Sequence, residues 1–435
     1  MPFNQGGAQR MTRQDNEFAK GWPYVLCALL GVGMGLGPVP FYTIGMVAPH
    51  LAKTFGWSFS EIMLGLPVMT FGALLAGPVI GILADRFGVR RVALISVAIF
   101  SLSYMAFGLS NGSLPLYLLT WTVMAIGGAG TLPMTWTRPI SAHFRRQRGL
   151  ALGFALLGTG LFGFLIKPFA AWLIAEHGWR STYFVIGALP LLITLPVAWK
   201  FFHDAKPDAA DAPEAAKAAA EGLTLKEALK TWRFWAIWLA FVPIAFATSG
   251  PIPNMENLLK ANGFDMGQIV SLAPLIGLSV IVGRLLGGWL IDHFWAPGVA
   301  MALLSVSALG CVALTQPGAS YAHAVFSISM IGFAAGMEYD LLAYLTARYF
   351  GLRGYASIYG ALYGAYALGA GIAPVAYGAV FDKTGGYGAA LMLSAVLLVV
   401  GALILLTLGR YRREAGPEVS VAEDVARSAD HAPAS

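Results

Sequence analysis

The chain has 435 residues, 57% of them hydrophobic and only 11% charged, about half the charged share usual in globular proteins. A soluble chain of this size cannot hide so much apolar surface; mean hydropathy of +0.67 and apolar runs of about 20 residues imply repeated crossings of a hydrocarbon core about 30 Å thick. Two cysteines, Cys27 and Cys311, both inside apolar runs, exclude a disulfide framework and a cysteine metal site. The net charge of +6 lies in short clusters between the runs, which signals membrane topology and excludes nucleic acid as a partner.

In chain order, residues 1–21 form a polar tail with Arg10, Arg13 and Lys20, followed by a run too long for a signal peptide. Apolar segments then fall at roughly 22–50, 60–82, 91–110, 115–138, 149–174 and 181–202. After a connection at 203–233 a second set follows, at roughly 234–256, 267–290, 297–315, 321–346, 355–379 and 387–408. The connection opens with an Ala- and Asp-rich stretch too polar to pack and ends in an amphipathic stretch from Leu223 to Trp232, so it reads as a linker. The expected architecture is therefore all-α, with twelve transmembrane helices in two six-helix bundles, 22–202 and 234–410, and a disordered tail at 411–435.

Alternate loops carry unequal Lys and Arg. One side holds Arg86, Arg90, Arg91, Arg145, Arg146, Arg148, Lys226, Lys230, Arg233, Arg348, Arg353, Arg410, Arg412 and Arg413; the other holds Lys53, Arg180, Lys260 and Lys383. Positive charge is retained inside, which puts both termini and the linker in the cytoplasm and the protein in the inner (plasma) membrane. The two sets also repeat at an offset of about 206: Gly130 and Phe144 fall on Gly336 and Phe350, Gly158, Gly163 and Pro168 on Gly364, Gly369 and Pro374, and Asp85 on Asp292 at 207. Parallel six-helix repeats of this kind place a site between the halves near the midplane, the architecture of an alternating-access carrier.

Between the second and third segments stands Gly81-Ile-Leu-Ala-Asp85-Arg86-Phe-Gly88-Val-Arg90-Arg91, with glycine where helices turn tightly and an acid able to cap or pair across an interface. A degenerate copy, Gly288-Trp-Leu-Ile-Asp292-His293-Phe, occupies the equivalent place in the second half. The segment resembles the signature loop of the major facilitator superfamily, and the resemblance extends over nearly the whole chain. It implies that Gly81, Asp85, Arg86, Gly88, Arg90 and Asp292 form a conformational latch.

Ionisable residues inside apolar spans cost about 2.5 to 3.5 kcal/mol on insertion scales, so each calls for a function and a partner. Arg284 lies eight residues before Asp292, about 12 Å along the helix, beyond the reach of a snorkelling end. Its planar, permanently charged fork suits a carboxylate. Asp340 on the tenth segment should lie at the same depth and is favoured as its ion-pair partner. Glu338, two residues away and on another helix face, is the second candidate for the pair or for proton coupling. Lys167 in the fifth segment either adds a second cation to the site or snorkels to the outer surface.

The stretch Val282-Gly283-Arg284-Leu-Leu-Gly-Gly further resembles the eighth span of monocarboxylate transporters and oxalate:formate antiporters, as do Arg148 to Gly153, Gly178-Trp-Arg180 and Arg348 to Gly351. In that branch the arginine binds the substrate carboxylate. Two departures bear on coupling: Val280 stands where the animal carriers have an aspartate, and Tyr42 where they have a lysine. Tyr359, Tyr363 and Tyr366 share one face of the eleventh segment, and Phe41, Tyr42, Trp136 and Tyr339 lie in segments expected to face the cavity, as aromatic pocket walls do. Gly158-Thr-Gly160-Leu-Phe-Gly163 matches a dinucleotide fingerprint but has no preceding strand, so close helix packing explains it. His50, His143, His177 and His293 lack metal-ligand spacing, and no catalytic constellation occurs.

The expected function is secondary active transport of a small organic carboxylate, aromatic or branched, coupled to protons, in a lipid bilayer and without a cofactor. Arg284, Lys167, Tyr42 and Tyr363 are the substrate-binding candidates, and Asp340 and Glu338 serve coupling or the ion pair. An amphiphile exporter of the same fold, a carboxylate exchanger and a transporter-like sensor are the alternatives.

Overall fold

The protein is described by a computed structural model covering residues 17–144, 146–204, 222–315, 318–409 and 411. The expected N-terminal tail, the first part of the linker and the expected disordered tail lie outside the described residues, except for 17–21 and Tyr411. Among the described residues, twelve helices are long and apolar enough to cross a membrane. Spans 1 to 6 are Glu17–Phe55, Glu61–Phe87, Val89–Leu109, Leu114–His143, Arg148–His177 and Trp179–Phe201. Spans 7 to 12 are Trp232–Met255, Leu275–His293, Ala296–Ala313, Tyr321–Phe350, Tyr355–Phe381 and Gly388–Leu406. Large apolar side chains such as Leu75, Phe164, Leu192 and Val375 are more than 70% exposed, which only a lipid environment satisfies.

Spans 1 and 4, each expected as one apolar run, are interrupted. Span 1 consists of Glu17–Gly33 and Pro38–Phe55, and span 4 breaks at a tight turn, Gly128–Thr131, before resuming at Pro133–His143. Proline cannot donate a helical N–H and glycine weakens the turn before it, so the sequences Gly33-Met-Gly-Leu-Gly-Pro38 and Gly127-Gly-Ala-Gly-Thr-Leu-Pro133 end one helix and begin another. The two breaks satisfy each other, because Leu36 N–H donates to Thr131 Oγ1 at 2.9 Å and the Thr131 hydroxyl donates to Gly128 O at 2.8 Å. Non-helical backbone survives at membrane depth only in such protein surroundings or beside a cavity.

Spans 2 and 11 pack along each other, as do spans 5 and 8. The internal repeat exchanges these two pairs. Both contacts are made backbone to backbone: a Cβ on Gly77 or Gly360 would collide with the carbonyl of the other, and the same holds for Gly149 and Gly288. Small residues let helices approach closely where no hydrophobic force drives them together.

The end of the linker docks on the second half. Gly222 bridges to Gly351, Leu223 N–H donates to Phe350 O at 2.8 Å, and Gly354 N–H donates to Leu223 O at 3.1 Å. Thr224 then caps the short helix Leu225–Ala228 in a reciprocal box with Glu227. Donation from the Thr224 backbone and hydroxyl holds the Glu227 carboxyl below the usual range. The expected amphipathic stretch is thus pinned to the loop between spans 10 and 11.

Candidate functional site

The end of the bundle that carries the basic loops is closed by two equivalent contacts. Asp85, in the last turn of span 2, accepts the N–H groups of Ala356 at 3.2 Å and Ser357 at 2.9 Å, which open span 11. Asp292, in the last turn of span 8, accepts those of Gly149 at 2.6 Å and Leu150 at 2.9 Å, which open span 5. The first N–H groups of a helix have no internal acceptor and sit at its positive end, so each acid caps a helix of the opposite half. Arg138 on span 4 approaches Asp85 at 3.6 Å, and the Tyr355 hydroxyl donates to Thr137 Oγ1 at 2.9 Å, adding a bond between the halves.

The remaining motif residues do other work. Gly81 lies against Ala356, where a Cβ would strike the carbonyl. Gly88 turns span 2 into span 3 at φ +91°, a conformation that favours glycine. Arg86 is exposed over the Phe87 ring, and Arg90 bonds the Trp199 carbonyl and takes Asp204 on its backbone N–H, all within the first half and the start of the linker. Of the six expected latch residues, Gly81, Asp85 and Asp292 therefore meet the opposite half.

Above this closure, away from the basic loops, a cavity of about 270 Å³ lies between the halves. Leu36, Gly37 and Pro38 of the span 1 break line it, together with Phe41, Tyr42, Thr159, Thr248, Arg284, Glu338, Tyr339, Tyr363 and Tyr366. Arg284 is 2% exposed, one turn above Gly288. Its Nη1 lies 3.2 Å from Asp340 Oδ1, its Nη2 donates to Thr159 Oγ1 at 2.9 Å, and its guanidinium stands 5.8 Å from the centre of the Tyr339 ring. The pair is single-pronged: Arg284 Nε and Asp340 Oδ2 are buried without a hydrogen-bond partner. A buried donor left in that state costs about 1 to 3 kcal/mol. Thr159 belongs to span 5, so the cation of the second half is held partly by the first.

Glu338 is 4% exposed, lines the cavity and accepts the Thr248 hydroxyl of span 7 at 2.7 Å. It and Asp340 therefore serve different neighbours, as two-residue spacing on a helix requires. The rings of Tyr339, Tyr363 and Tyr366 form one wall, with centres 4.6 to 6.0 Å apart. Tyr359, on the same sequence stripe, is instead fully buried with an unpartnered hydroxyl. Trp136 is also withdrawn from the cavity, packed on Phe202 at 4.7 Å between centres and covering Gly31. Lys167 stands exposed outside the cavity lining, its Nζ 5.3 Å from the centre of the Tyr42 ring.

The sequence reading did not identify Arg138, Thr159, Thr248 or the two helix breaks. Arg138 carried the same signal as Arg284, a charge in an apolar run, and the breaks were marked by paired Gly and Pro clusters in both spans. The threonines gave no signal, since isolated hydroxyls are ordinary in apolar helices.

Residues 30–374 match the sequence model of the Major Facilitator Superfamily. Monocarboxylate transporter 11 of Homo sapiens is 26% identical over 416 residues, covering 91% of this chain and 85% of that protein. The probable sulfoacetate transporter SauU of Cupriavidus necator is 27% identical over 391 residues, with 83% and 87% covered. The gallate transporter of Pseudomonas putida is 27% identical over 401 residues, with 80% and 85% covered. The crystal structure of the E. coli fucose:proton symporter FucP superposes with a TM-score of 0.67 at 15% identity, over 90% of this chain and 98% of that one, a likeness of fold. A family match across most of the chain, twelve spans and a capping acid at the same place in each half together make this chain a member of the Major Facilitator Superfamily, a multi-pass membrane transporter and not an enzyme.

Proposed function

We propose that the protein carries a small organic carboxylate, aromatic or branched, across the plasma membrane by alternating access, coupled to a proton. The observation that carries this reading is Arg284, a permanent cation lining the cavity, only two of whose five N–H groups have an acceptor among the described residues. A carboxylate entering the cavity supplies further acceptors, and the tyrosine wall favours a flat or branched body over formate or lactate. Relatives named for monocarboxylates, sulfoacetate and gallate support an organic anion as cargo.

Asp340 is the coupling group in this scheme. Ionised, it competes with substrate for the guanidinium; protonated, it releases Arg284 to the incoming carboxylate, so proton and substrate bind together. The halves 22–202 and 234–410 rock about the site, with Asp85 and Asp292 as the latch. The basic loops and both termini lie in the cytoplasm, so the cavity opens outward. Lys167, beside Tyr42, attracts anions toward the mouth without touching bound substrate.

Uptake of labelled benzoate into proteoliposomes, with and without an inward proton gradient, tests the scheme. Accumulation driven by the gradient is expected, with Asp340→Asn losing the gradient dependence while retaining benzoate exchange. Uptake only against internal carboxylate would replace symport by exchange, and stabilisation of the purified carrier by organic cations but not by carboxylates would overturn the assignment in favour of an exporter.

A further inference from the structure

The cavity has a second polar pole that the carboxylate reading leaves unused. Glu338 is almost fully buried yet lines the cavity, on a face of span 10 about 200° around the helix from Asp340. Asp340 turns to Arg284, which leans on Thr159 of span 5, whereas Glu338 turns to Thr248 of span 7. A carboxylate offers about four acceptor positions, so the Thr248 hydroxyl leaves it able to receive another donor. Tyr339, next to Glu338 in the chain, lies beneath the Arg284 guanidinium and stacks on Tyr363 with rings 16° from parallel. The aromatic wall thus runs alongside a cationic pole and an acceptor pole.

We infer that Glu338, held by Thr248, recognises a hydroxyl group on the substrate, so that the preferred cargo is a ring-hydroxylated aromatic acid rather than a plain one. The inference rests on the carboxylate reading of Arg284. The ring lies along Tyr339 and Tyr363, the carboxylate meets Arg284, and the phenolic O–H donates to Glu338. Sites built to bond a substrate hydroxyl discriminate strongly against the analogue lacking it, because their buried polar group is then left short of a partner.

The experiment is equilibrium binding of benzoate, 3-hydroxybenzoate and 4-hydroxybenzoate to the purified full-length carrier at one fixed pH. Binding rather than transport is read, so that an added effect of Glu338 on coupling does not intrude. At least one hydroxybenzoate is expected to bind about tenfold tighter than benzoate, or more. Glu338→Leu should bring the ratio of hydroxybenzoate to benzoate affinity down to about one. Glu338→Gln, which keeps an acceptor oxygen and the side-chain volume, should retain part of the advantage, and Thr248→Val should erode it. Equal binding of all three acids, with benzoate still dependent on Arg284, overturns this inference and leaves the carboxylate reading standing. Survival of the full hydroxyl advantage in Glu338→Leu also overturns it. Benzoate binding that is unchanged in Arg284→Ala removes both.

Discussion

At the closed end the two halves of the molecule are near copies, each ending a helix in an aspartate that caps a helix of the other. One cavity higher they diverge. The second half places Arg284, Glu338 and Asp340 within the bilayer, all under 5% exposed, whereas the first contributes the Thr159 hydroxyl, the rings of Phe41 and Tyr42 and the interrupted backbone of span 1. The repeat is retained where both halves do the same thing, which is to cap a helix of the other at the closed end. It is lost where a single half can hold the charge and the other can serve as a wall.

The steepest test of this asymmetry is Arg284→Ala, for which initial benzoate uptake should fall by about 100-fold or more in protein that still inserts and purifies as a uniform species. Arg284→Lys should lose most of the activity too, because an ammonium keeps the charge but not the fork. Near-normal uptake by Arg284→Ala would mean that the charged centre of the second half is structural. At the closed end symmetry should instead prevail. Asp85→Ala and Asp292→Ala should each speed amide hydrogen exchange at the starts of spans 5 and 11 by about tenfold, within a factor of three of each other, since each removes two charge-assisted bonds. A large effect from one and none from the other would break the comparison.

Thr159→Val sharpens it further, by removing the only first-half hydrogen bond to Arg284 described here. A rise of about threefold in half-saturating benzoate is expected, measured in the same vesicles. The smallest effect belongs to Lys167→Leu. With its ammonium outside the cavity lining, uptake should change by less than twofold at physiological salt, and the change should shrink as salt is added. A strong loss, or a new preference among mono- and dicarboxylates, would move Lys167 into the site.

Much of this arrangement was readable in the chain because a bilayer makes composition informative. A charge such as Arg284 stands out in an apolar run, and its depth follows from counting helix rise to Asp292. The pairing with Asp340 followed from equal depth on two spans. The partners of Asp85 and Asp292 were not readable, because main-chain N–H groups leave no side-chain signature and depend on how two bundles meet. Arg86 and Arg90 sit within the latch motif by sequence, yet geometry gives them to the first half and the start of the linker. Tyr359 and Tyr363 share a helical stripe, but a single turn decides that one is buried below the cavity and the other forms its wall. The interruption at Gly33 to Pro38 was visible as composition and was missed because hydropathy averaging runs straight across it.

The use of main-chain amides on the receiving side of each latch has a genetic consequence. Replacing the side chains of Leu150, Ala356 or Ser357 leaves the two N–H donors in place, so those positions tolerate change wherever packing allows, while Asp85 and Asp292 each accept few substitutes. A selection for second-site revertants of an Asp292 loss should accordingly recover new acids near the end of span 8, or weakened contacts elsewhere that rebalance opening. It should not recover compensating charges at Gly149 or Leu150, which meet Asp292 through backbone N–H groups alone.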